Sequence, residues 1–122
     1  MKILVVDDEL MIRSLAEKIL SKAGFEVVTA DSGDEGIRRL TADPDQIRLV
    51  LMDWTMPGMT GVETLKHVRE IARNVPCIIS SGHVLEKGAL PEGLEQNTYF
   101  LEKPYRSRRL LDKVNRILDD IE

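Results

Sequence analysis

The chain has 122 residues, 43% hydrophobic and 31% charged, as expected of one globular domain with a single core. Seventeen basic residues against 21 acidic ones leave a net charge of -4, which removes any electrostatic case for a nucleic-acid binder. Cys77, the one cysteine, lies in the apolar run Cys77-Ile78-Ile79 and reads as a buried core thiol, so a disulfide framework within one chain is excluded. No apolar run approaches a membrane span and the N-terminus has no signal-peptide pattern, so a soluble, cytoplasmic protein is expected.

Lys2 to Val6 is a short apolar strand that ends on Asp7-Asp8-Glu9. Ile12, Leu15, Ala16, Ile19, Leu20 and Ala23 then recur at helical spacing, with Gly24 placed to stop the helix. Glu26 to Ala30 is the second strand. Ser32 with Glu35 three residues on has the form of a capping box, opening a short helix that carries Ile37 and Leu40 before Pro44. Leu49 to Met52, after Ile47-Arg48, has the unbroken apolar character of a strand covered on both faces. It stops at Asp53, and Met56-Pro57-Gly58 turns the chain.

Thr60 and Glu63 form a second capping-box signature, ahead of a helix presenting Leu65, Val68, Ile71 and Ala72 on one face. Val75 to Ser80 is the fourth strand, with Pro76 near its start, where a missing N–H is tolerated. From Gly82 to Asn97 the pattern is broken by Gly88, Pro91 and Gly93, and at most a short or distorted helix is expected. Thr98 to Leu101 is the fifth strand. The last helix places Leu110, Leu111, Val114, Ile117, Leu118 and Ile121 on one side and Arg108, Arg109, Lys113 and Arg116 largely on the other.

Five strands alternating with five helical segments define an α/β domain with a doubly wound parallel sheet over residues 1–122. Right-handed crossovers allow the strand order 2-1-3-4-5, which sets the first and third strands side by side. Asp8 and Asp53 would then lie roughly 5 Å apart at neighbouring strand tips. Two charges at that separation repel by about 3 kcal/mol at an effective dielectric of 20, so a cation is expected among these acids. Taken alone, Asp53 is also explained as an ordinary strand-terminating aspartate.

Asp7-Asp8, Asp53 followed by Met56-Pro57-Gly58, Ser81-Gly82 and Lys103-Pro104 stand in this order, each at an expected strand end. With these motifs the sequence resembles the receiver domain of two-component response regulators, from Lys2 to about Ile121. The flavodoxin-like 2-1-3-4-5 order is what that resemblance implies. So is a signalling switch in place of an enzyme, with self-phosphorylation and self-dephosphorylation as its only chemistry. Asp53 would be the phosphoacceptor, and Asp8 and Asp53 direct Mg2+ ligands with the backbone carbonyl of Thr55. Asp7 would act on the ion through water. Lys103 would pair with the phosphoryl group, Ser81 would hydrogen-bond it, and Phe100 would be the switch aromatic. Ser81 is preferred to Ser80 because Gly82 follows it and Pro76 precedes it by five residues, as in the family pattern.

The chemistry agrees: Mg2+ takes one or two carboxylates, waters and phosphate oxygens, a carboxylate serves as nucleophile, and a lysine supplies a mobile point charge. The implied partners are a histidine kinase or phosphotransfer protein and an output protein the sequence does not name. Neither nucleic acid nor membrane is expected, and a homodimer stays open.

The sequence also departs from the family pattern. Thr55 and His83, two residues after Asp53 and Ser81, occupy positions that tune phosphoryl lifetime in the family. Phe100 has no hydroxyl where many relatives carry Tyr. The broken stretch from Val84 to Asn97 covers what is commonly the fourth helix of the output face. Arg106 stands where a helix cap is expected, with Ser107 one residue later.

Three other readings stand beside this one. A receiver-like interaction module independent of phosphorylation would keep the fold alone. A Mg-dependent aspartyl-nucleophile phosphatase usually has a second acid two residues after a nucleophile on the first strand; here Thr55 fills that place and Asp53 is on the third strand. A flavodoxin-like cofactor binder would want Ser, Thr or Gly after the first strand, where Asp7-Asp8-Glu9 would repel phosphate.

Overall fold

The computed structural model describes residues 1–82 and 90–121. The elements are β1 (Lys2–Val6), α1 (Leu10–Lys22), β2 (Glu26–Ala30), α2 (Gly33–Ala42), β3 (Ile47–Asp53), α3 (Gly61–Ile71), β4 (Cys77–Ser81), β5 (Thr98–Glu102) and α4 (Ser107–Ile121). All neighbouring strands are parallel, in the order β2-β1-β3-β4-β5, as expected.

Strand alternation splits the core in two. Ile3 and Val5 of β1, Leu49 and Leu51 of β3 and Ile78 of β4 face α1 and α4, meeting Ala16, Ile19, Leu20, Leu110 and Val114. The residues between them, Leu4, Val6, Val50, Met52 and Ile79, face α2 and α3 and meet Leu40, Leu65 and Val68. Both faces are covered, so β3 is apolar without alternation from Leu49 to Met52, where it reaches Asp53. Cys77, on the second of these faces, is wholly buried, and burial pushes its thiol up to about 11.

The caps follow their chemistry. Thr60 and Glu63 make the full reciprocal capping box, the Glu63 N–H donating to Thr60 Oγ1 and the Thr60 N–H to Glu63 Oε1. At α2 only half of the expected box forms: the Glu35 N–H donates to Ser32 Oγ at 3.1 Å. Gly24 follows α1 with φ +100°, a conformation open to glycine at no steric cost.

Several boundaries differ from the sequence reading. Helix α1 starts at Leu10, two residues before the first periodic apolar position. Strand β4 starts at Cys77, after Pro76, which lacks the N–H a ladder needs, and runs to Ser81 in place of Ser80. Strand β5 extends to Glu102. The expected five helical segments become four helices among the described residues. Residues 90–97 form turns, with Gly93 at φ +91° and Asn97 at φ 57°, because Pro91 and Gly93 interrupt any helical ladder. The rest of the distorted helix expected between Gly82 and Asn97 lies outside the described residues.

Arg69 staples this region to α3. Its guanidinium donates to the carbonyls of Val75, Gln96 and Asn97 and to Thr98 Oγ1, joining the approaches to β4 and β5. Its buried Nε has no partner among the described residues. Arg69→Met is expected to destabilise the fold by about 2 kcal/mol, since hydrogen bonds from a charged donor are lost while one unmet polar atom is removed. Circular-dichroism melts should show a drop of roughly 6–10 °C; an unchanged midpoint would rule out the staple.

Candidate functional site

The C-terminal tips of β1, β3 and β4 and the turn after β5 meet at one edge of the sheet, where open α/β folds carry their ligands. There Asp7, Asp8 and Asp53 each offer a carboxylate oxygen, and these oxygens all lie within 4.8 Å of one another. Asp7 and Asp53 are 3% and 5% exposed, whereas Asp8 is open to solvent. The convergence expected from the strand order is therefore present, and its buried members are Asp7 and Asp53.

Lys103 is the cation among them. Its Nζ stands 2.9 Å from Asp7 Oδ2 and 3.3 Å from Asp53 Oδ1. Its backbone N–H donates to the Ser81 carbonyl at 2.7 Å, tying the turn after β5 to the tip of β4. Burial works against its charge, but the hydrogen bond and field of Asp7, with help from Asp53, raise its pKa above the ordinary lysine value. Asp53 is pushed up to about 6, chiefly by burial; Lys103 pulls the other way and the Asp7 charge adds to the rise.

The backbone fixes the rest. The Glu9 N–H donates to Asp7 Oδ1 at 2.9 Å, so both oxygens of Asp7 are engaged. The Thr55 N–H donates to Asp53 Oδ1 at 3.3 Å. Trp54 follows Asp53, its N–H bonded to the Ser80 carbonyl at 2.9 Å. A Cβ on Gly61 would come within 2.6 Å of the Trp54 carbonyl oxygen and ring, so glycine alone lets α3 start this close to the loop. Arg13 of α1 donates to the Asp7 carbonyl at 2.7 Å. No sequence signal singled it out, because a lone arginine on an amphipathic helix looks like any solvated charge.

The remaining expected residues fall at different distances from this cluster. Ser81 is buried at the end of β4, beside the site, while Ser80 Oγ reaches the Met52 carbonyl at 3.4 Å. Thr55 is exposed in the loop after β3. Phe100 alternates on β5 with Tyr99 and Leu101, which join the α1–α4 core, and is itself 37% exposed. It lines a groove of about 400 Å3 between β5 and α4, with Glu102, Arg109, Lys113 and Ile117. His83 lies outside the described residues.

An acid triad braced by a strand-end lysine on this sheet narrows the family, and comparison with known proteins decides it. The response regulator receiver domain family matches residues 3–115. The chain belongs to that family. This receiver domain is 34% identical to the chemotaxis protein CheY of Bacillus subtilis over 123 residues, covering 97% of the present chain and 98% of that protein. It is 34% identical over 120 residues to the transcriptional regulatory protein CpxR homolog of Haemophilus influenzae, covering 96% of the present chain but 50% of that protein. It thus spans half the length of one relative and nearly all of the other. Among solved structures it superposes on one of the CheX–CheY–BeF3–Mg2+ complex from Borrelia burgdorferi, with TM-score 0.86 at 25% identity, covering 96% and 88% of the two chains.

Receiver domains are the signalling switches of two-component systems, which places this chain outside the classical enzymes. The acidic cluster is compatible with a divalent metal. Among the described residues no helix is long and apolar enough to cross a membrane.

Proposed function

We propose that this receiver domain takes a phosphoryl group on Asp53 from a histidine kinase or phosphotransfer protein, in a Mg2+-dependent reaction, and thereby controls an output partner. The observation that carries the reading is Lys103 Nζ bridging Asp7 and Asp53 beside an exposed Asp8. The donor set fits Mg2+: hard carboxylate oxygens, few in number, with one acid open to water. Asp8, Asp53 and the Thr55 carbonyl would hold the ion directly. Asp7, whose oxygens already accept from Lys103 and the Glu9 N–H, would act through water. When bound, the ion neutralises charge on the transferring phosphoryl group.

With a pKa of about 6, Asp53 is mostly ionised at neutral pH and available as the nucleophile. Its oxygen forms the new bond to phosphorus as the donor's nitrogen–phosphorus bond breaks, and the histidine leaves with the bonding pair. Lys103 pairs with the incoming phosphoryl oxygens, exchanging one anionic partner for another. Ser81, next to the site, supplies a hydroxyl to the same oxygens, and Lys103 and Ser81 move together because the backbone joins them. Phe100, exposed on β5 above the groove to α4, is the aromatic that responds. Thr55 and His83 tune how long the phosphoryl group lasts. A Mg2+- and BeF3-containing complex of a protein with this fold supports the metal assignment.

Incubation with acetyl phosphate and Mg2+ should add one phosphoryl group to Asp53, seen by intact mass and not formed when EDTA is present from the start. A chain that stays unmodified while a control receiver in the same tube is labelled sinks the proposal.

A further inference from the structure

We propose that Arg13 is a positioning residue that sets where Asp8 stands toward a divalent cation, an inference that rests on the metal reading above. The β1 ladder ends where the Asp7 N–H donates to the Ala30 carbonyl at 3.1 Å. Helical bonding resumes with the Arg13 N–H on the Glu9 carbonyl at 2.9 Å. The Asp7 carbonyl falls between the two, in a residue only 3% exposed, and the Arg13 guanidinium is its donor at 2.7 Å. A buried carbonyl without a donor is costly, so losing the guanidinium drives the Asp7–Asp8 peptide to turn toward water.

Asp8 is the side chain that such a turn would carry away. Asp7 is held at both carboxylate oxygens, by the Glu9 N–H and Lys103, and Asp53 by the Thr55 N–H and Lys103. Among the described residues no hydrogen bond or ion pair holds the Asp8 carboxylate. Its place within 4.8 Å of the other two therefore depends on the backbone that Arg13 fixes.

Charge and positioning predict opposite signs. Removing a cation near three carboxylates should by Coulomb's law tighten divalent binding; removing the brace should loosen it. The test is a Mg2+ titration of the whole chain followed by fluorescence of Trp54, its only tryptophan, next to Asp53. Arg13→Met is expected to weaken Mg2+ affinity about tenfold, the size of effect usual for a group that orients a ligand. Arg13→Lys, which keeps a long donor, should stay within about threefold of wild type on the same scale. In an Asp8→Asn background Arg13→Met should change nothing further, because the brace acts through Asp8.

Melts without metal verify folding. Arg13→Gln, whose amide stops short of the guanidinium position, carries the same expectation and replaces the methionine variant if that does not fold. Binding by Arg13→Met as tight as or tighter than wild type overturns this inference alone, as does an Arg13→Lys loss equal to that of methionine. A wild type that gives no saturable response to Mg2+ overturns the metal reading and this inference with it.

Discussion

Asp53→Asn is expected to abolish phosphoryl uptake and, at pH 7, to make the folded chain more stable than wild type by about 1–2 kcal/mol. The carboxyl is pushed from an ordinary 3.8 up to about 6, mainly by burial. Between those values the folded state holds a proton that the unfolded state has released. The native form binds more protons there, so wild-type stability falls as pH rises through this window and levels off above about 6. Asparagine does not titrate. The advantage of Asp53→Asn should thus be absent near pH 4, grow toward pH 6 and stay constant beyond. Urea denaturation across pH 4 to 8 measures it, and a variant less stable than wild type at pH 7 would refute the claim that this carboxylate is held at a cost.

Lys103→Met should act in the opposite direction and more strongly. The amine is the cation within hydrogen-bond reach of two acids that are nearly sealed from water. Removing one partner of a buried ionic cluster leaves the others uncompensated, at a cost of about 3 kcal/mol. In wild type the raised lysine pKa supplies stability present below the ordinary 10.5 and lost as pH climbs past the folded value. Without that amine the Asp53 carboxyl is pushed up further, so the variant should recover part of the loss on moving from pH 7 to 5. Added Mg2+ should narrow the same gap, because the ion replaces the missing positive charge. Equal stability of variant and wild type at pH 7 would show that the bridge contributes nothing.

How much of this was legible depended on whether a residue's role leaves a periodic or positional mark. Asp53 and the Asp7-Asp8 pair could be placed because an apolar strand ending abruptly on acid is visible in one dimension, and a parallel sheet brings such ends together. Lys103 followed from its place after the fifth strand. Which of Asp7 and Asp8 is buried did not follow, since β1 is covered on both faces and shows no polar alternation to set the phase. The full capping box of α3 and the half box of α2 carry the same signature, and only the Glu63 side chain turns back. Arg13 and Arg69 act through contacts to carbonyls six to 28 residues away, for which a single sequence holds no pattern. Residues 90–97 were expected to resist helix, and the phenylalanine on β5 proved more exposed than a core aromatic.

The sealed thiol of Cys77 makes the chain convenient to instrument. Its sulfur is wholly enclosed and its pKa of about 11 leaves little thiolate at neutral pH, so maleimide or spin-label reagents meet no native competitor. A cysteine introduced at exposed Glu102, on the rim of the groove beside α4, would be the single labelled point. Motion of the β5 edge could then be recorded without first removing a residue from the interior.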